Sequence, residues 1–141
     1  MSFGACEDHW VRFHHVELWV ADFATAHPRW SWLLSELNWP VLAEWDNGAS
    51  WGSEGAGYLV VEQSPDVRQA PHDRTAPGLN HLALSIGDRP GLDALVDAAP
   101  QQGWRLMFPG KHPYAGGPQH CAAYLEDIDG FEVEVVVREP R

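Results

Sequence analysis

Four residues in the chain have types and spacing that suit a divalent metal. His15 and His81 open two stretches of the same alternating character, FHHVELWV and NHLALSI. Glu62 and Glu134 lie in the apolar runs YLVVEQ and FEVEVVV, each closing one half of the chain. Imidazole nitrogen and carboxylate oxygen are donors for first-row divalent ions, and a mixed set of two and two accepts nickel, zinc, cobalt, manganese or iron without choosing among them. Taken singly, a strand histidine is more often structural and a strand-end glutamate more often solvated. Taken together, the four occupy corresponding places in two similar halves, and that coincidence favours a metal site.

The elements that must position them follow from periodicity. Residues 13–20 alternate, with Phe13, His15, Glu17 and Trp19 on one face and His14, Val16, Leu18 and Val20 on the other, as in a half-buried strand. Asp22 reads as an N-cap for an amphipathic helix to about residue 38, with Pro28 expected to kink or detach its first turn. VLAEW, ASWGS and YLVVEQ, separated by DNG and a Gly-rich turn, read as a meander of three strands. Residues 64–78, with three prolines and no periodicity, form a linker. The pattern then restarts: NHLALSI is a strand, Asp88 caps a helix with Pro90 in its first turn, WRLMF is a strand, and HCAAYLE with FEVEVVV is a hairpin around DIDG. His15 to Trp39 spans 24 positions and His81 to Trp104 spans 23, so the chain repeats at about 66 residues (81 minus 15). One domain is expected, with module one at about 11–63, the linker at 64–78 and module two at about 79–138.

With HHVELWVADF, GLNHLALSIGD and EDIDGFEVEVV in view, the sequence resembles the vicinal oxygen chelate superfamily of glyoxalase I, extradiol dioxygenases, fosfomycin resistance enzymes and bleomycin-binding proteins. The resemblance runs from Phe13 to Val137, with Ile128 standing where the acidic turn of that family usually has proline. It implies an α+β fold of two pseudo-symmetric βαβββ modules, whose eight strands make an open barrel-like sheet around a cavity. It implies one divalent metal ion on His15, Glu62, His81 and Glu134, the glyoxalase-type pattern. It also implies lyase or isomerase chemistry through a metal-stabilised enediolate, with Glu134 as first choice for the proton-shuttling base and Glu62 as second. A dioxygenase of the extradiol type, or a metal-free small-molecule or antibiotic-binding resistance protein, are the alternatives.

Other residues fill in the expected cavity. Glu17 and Glu132 are in phase with the ligand histidine and glutamate, so they face the cavity or its solvated rim. Trp19, Tyr124 and Tyr114 are pocket candidates. Tyr124 matches the tyrosine that precedes the acidic turn in extradiol enzymes, yet a simple hairpin register would put it on the face opposite Glu134, so a bulge is required. His112 and His120 are out of register with the histidine of that branch. The HPYAGGP loop reads as a lid or a plain surface loop, and Cys121 as an inert buried thiol.

Composition sets the outer bounds. With a hydrophobic fraction of 45% and a charged fraction of 21%, a 141-residue chain reads as one globular domain. A net charge of -11 disfavours nucleic acid and anionic membranes as partners, leaving a small-molecule substrate. Cys6 and Cys121 form no disulfide framework, the segment MSFGACEDHW lacks signal-peptide character, and no apolar run reaches membrane-spanning length. These point to the cytoplasm. Eight tryptophans are unusual for this size, and a few are expected to line a pocket. The aromatic excess also argues for a homodimer, with sites built from one chain or shared between two.

Overall fold

A computed structural model describes residues 13–53 and 55–138; residues 11 and 12 of the expected first module, and the N-terminal decapeptide, lie outside the described residues. The expected two modules are present. The first holds β1 (His15–Trp19), α1 (Phe23–Glu36), β2 (Val41–Trp45), β3 (Gly48–Ser53) and β4 (Gly57–Glu62). The second holds β5 (Leu82–Ile86), α2 (Arg89–Ala98), β6 (Arg105–Leu106), β7 (Ala122–Glu126) and β8 (Glu132–Val137). The eight strands form two four-stranded mixed sheets, ordered β1-β4-β3-β2 and β5-β8-β7-β6. In each, the first strand runs parallel to the last and the other pairs are antiparallel.

Local chemistry explains most boundaries. The Asp22 carboxylate accepts from the Ala24 N–H, and α1 ends with Asn38 at φ 62 while the Trp39 N–H bonds the Leu34 carbonyl. Pro28 does not detach the first turn, since α1 runs from Phe23 to Glu36 through it. The proline removes one N–H near the exposed start of the helix, and the buried stripe of Phe23, Ala26, Trp30, Leu33 and Leu34 holds both sides of it in one helix. The expected strand over WRLMF is only two residues long, because Phe108 adopts φ 52 and turns the chain into the following loop. His14 also departs from expectation. It lies just before β1, outside its pleat, and its ring contacts His15 and Tyr58 instead of facing the helix.

The two modules share one core. Helix α1 packs on β3 and β4, and α2 packs on β7 and β8. Trp30 of α1, fully buried, meets Trp104 edge-on at 5.1 Å and Phe131 at 6.0 Å, both from module two. Arg29 crosses the same seam to Asp129 at 2.6 Å and Asp127 at 3.4 Å. Asp127 in turn accepts from the Asp129 and Phe131 N–H groups, so the DIDG turn is held by its own first carboxylate; burial pushes that carboxyl above its usual range. The helical sides of the sheets therefore face each other, and the opposite faces look out of the molecule. Trp30→Ala should lower unfolding free energy by about 3–5 kcal/mol, the usual cost of emptying a large aromatic site, as measured by chemical denaturation.

Candidate functional site

The outward face of the second sheet gathers the chemistry. Parallel pairing sets Leu82 beside Val133 and Ala83 beside Glu134, so His81 comes level with Glu132 and lies one same-face step from Glu134. Antiparallel pairing sets Tyr124 directly across from Glu134. No bulge is needed, contrary to expectation. The turn between Glu126 and Glu132 holds five residues, DIDG plus Phe131, and an odd count puts Tyr124 on the face of Glu134.

The ring of His81 is oriented by acceptors. Its Nδ1 lies 2.7 Å from Asn80 Oδ1 and 3.2 Å from Glu132 Oε2. Both accept, so the network assigns the proton to Nδ1, which leaves the Nε2 lone pair free, 3.8 Å from Glu134 Oε1. This is how metal-ligating histidines are held. The other oxygen of Glu134 lies 3.2 Å from His120 Nε2. Tyr124 faces the same carboxylate from the neighbouring strand; burial first, then its proximity to Glu134, push its phenol up to about 12, so it stays protonated at neutral pH.

The repeat is visible in atomic detail. As Asn80 orients His81, so His14 Nδ1 meets His15 Nδ1 at 2.8 Å. His15 stacks on Tyr58 at 5.0 Å on the outward face of the first sheet. The carboxylates are not equivalent, however. His15 pairs with Tyr58 and Glu17 with Val60, so Val60 occupies the place that matches Glu134. Glu62 pairs with Trp19, four residues along from the level of His15, roughly 13 Å at strand spacing. Its carboxylate accepts from the indole N–H of Trp45, and Glu17 accepts from Trp19. The structure brings together His81, Glu134, Tyr124 and Glu132; His15, Glu17, Trp19 and Glu62 share the outward face of the first sheet without converging, and the two groups are not joined within one chain.

A loop covers the His81 group. From Met107 to Ala122 the chain makes consecutive turns, closed by bonds such as Lys111 N–H to Phe108 O and Ala122 N–H to Pro113 O, and Gly116 leaves room for the Tyr124 hydroxyl and His120 ring. A cavity of about 300 Å³ lies beneath it, lined by His81, Tyr124, Glu132, Phe108, Arg74 and Lys111. Tyr114 does not join them; it lines a different cavity with Arg89 and Cys121. Arg74, Asn80, Lys111 and His120 escaped the sequence reading as site residues. Only Asn80, by its place before the histidine in the repeat, carried a signal.

Among the described residues, no three His, Cys, Asp or Glu side chains could hold a metal ion. Glu132 lies on the Nδ1 side of His81 and His120 on the far oxygen of Glu134, so neither aims where Nε2 does. His81 and Glu134 nevertheless fit as two donors of an open set, since one lone pair and one carboxylate oxygen converge. Among the described residues, no helix is long and apolar enough to cross a membrane.

Comparison with known proteins places these features in context. A family profile, Glyoxalase/Bleomycin resistance protein/Dioxygenase superfamily, matches residues 14–130. The uncharacterised protein YqjT of Bacillus subtilis is 32% identical over 123 residues, 87% of this chain and 96% of that protein. A candidate glyoxalase from Bacillus halodurans superposes with TM-score 0.85 at 33% identity, covering 93% of this chain and 98% of that one. A glyoxalase/bleomycin resistance protein from Albidiferax ferrireducens shares the fold at TM-score 0.70 and 20% identity, over 90% of this chain and 98% of that one.

Proposed function

The chain belongs to the glyoxalase/bleomycin resistance protein/dioxygenase superfamily, and from that premise we propose that it is a divalent-metal-dependent enzyme acting on a small substrate through two neighbouring oxygens. The observation that carries the reading is the orientation of His81. Two acceptors hold its Nδ1 proton, and the freed Nε2 faces a buried carboxylate. The proposed ligands are His81 and Glu134 of one chain with His15 of a second copy, because the sheet faces that carry them look away from each other in one chain. A divalent ion there supplies a Lewis acid that polarises a chelated carbonyl.

The residues around it are suited to moving a proton beside that carbonyl. Glu134 is the base. Tyr124, paired across the ladder from it and protonated at neutral pH, is placed to donate to it as its charge changes. His120, against the other oxygen and 41% exposed, is placed to exchange protons between Glu134 and solvent. The reaction class is therefore glyoxalase-like, a lyase or isomerase step. A second reading, an oxygen-using enzyme, draws support from Val60: with one carboxylate and two histidines the set is the open triad typical of non-haem iron oxygenases.

The test is protein purified without chelator or nickel resin, analysed for metal and then loaded with each of the five ions. Solvent deuterium entering the α-carbon of hydroxyacetone, independent of oxygen, is the expected result. Oxygen uptake with catechols in the iron form alone would favour the second reading. Ligand binding that survives chelation with no turnover would overturn both.

A further inference from the structure

The cavity beside His81 is lined by two cations on an acidic protein. The chain has nine Lys and Arg against twenty Asp and Glu, and Lys111 is its one lysine. That lysine lines the cavity beside Arg74. Three other arginines are tied to carboxylates: Arg29 to Asp129, Arg89 to Asp93 and Arg105 to Glu126. Lys111, in contrast, has no carboxylate within ion-pair distance among the described residues, and Arg74 reaches Glu132 only at 3.9 Å. Neither cation is used by the chemistry above.

Their backbones are fixed. The Lys111 N–H bonds the Phe108 carbonyl, and the Arg74 carbonyl accepts from the Asn80 side chain, the same asparagine that orients His81. Both side chains thus start from hydrogen-bonded backbone beside the site. Their charge also survives metal loading. A divalent ion offsets Glu132 and Glu134, leaving Lys111 and Arg74 uncompensated in a cavity on an acidic protein. An ammonium point charge and a planar guanidinium fork lining one cavity suit a carboxylate. Phe108, with its ring 5.8 Å from that of Tyr124, adds an apolar wall to the same cavity.

The geometry points to a carboxylate-bearing substrate, whose neighbouring oxygens meet the metal while its carboxylate is held by Lys111 and Arg74. This rests on the metal-enzyme reading and names its substrate class.

The test uses 3,4-dihydroxybenzoate and its methyl ester, which share the vicinal oxygens and differ in one charge. Calorimetric binding to zinc-loaded and metal-free protein separates the two claims. In the zinc form the acid should bind about tenfold tighter than the ester, the gap falling as salt is raised. Lys111→Met should close most of that gap and Arg74→Met part of it, with ester affinity unchanged in both. Equal binding of acid and ester, a gap retained in Lys111→Met, or no binding of the acid would overturn the inference. Acid and ester affinities that ignore zinc, with the Lys111-dependent gap intact, would sink the metal reading and leave the carboxylate site standing.

Discussion

Glu134→Gln will reduce metal affinity about a hundredfold or more, while Glu62→Gln will leave it within about twofold, measured by competition with a chromogenic chelator. The contrast follows from strand register. Glu134 is 7% exposed and its two oxygens face His81 and His120. Exchanging it for an amide removes the charge that an ion needs and leaves the fold almost unchanged in shape. Glu62 accepts from Trp45, three strands' width from β1 across the sheet order, and stands beyond the level at which His15 could share an ion with it. Equal losses in the two variants would restore the four-ligand set implied by the resemblance. No loss in Glu134→Gln would remove the proposed centre altogether.

That prediction also shows where the sequence was legible. Alternation fixes which face a residue occupies, and the pattern placed His15, Glu17, His81, Glu132 and Glu134 on outward faces. It cannot fix position along a strand to better than two residues, because a slip of two keeps every side chain on its face. Glu62 and Val60 share one face two residues apart, and Val60 is the one at the place that matches Glu134. Tyr124 shows the opposite failure. One residue more in a turn reverses facing, and nothing in DIDGF announced that Phe131 precedes the ladder rather than joining it. The repeat and helices were readable because long apolar stripes over-determine them. Arg74 and Lys111 were not, since a linker and a Gly/Pro loop have no period, and only hydrogen bonds such as His72 N–H to Asp129 O decide where they lie.

The largest effect concerns assembly. A His15→Ala chain and a Glu134→Ala chain, each inactive and unable to hold metal alone, should regain about half the wild-type metal and activity when co-assembled. In the shared arrangement every wild-type dimer has two sites, each taking His15 from one chain and His81 with Glu134 from the other. The mixed dimer rebuilds one intact site from its two wild-type contributions and concentrates both defects in the second. The physical reason is the seam formed by Trp30, Trp104 and Phe131, which turns the helical sides of the sheets together and their ligand faces apart. The first sheet leaves Trp19 and Trp45 more than 40% exposed on its outward side, apolar surface that a second copy would cover. A tagged pull-down proves the heterodimer, and elemental analysis then counts one metal per pair against two in wild type. A proven heterodimer holding no metal would mean that each chain closes its own site, and Trp30 would have to leave Trp104 for that to happen.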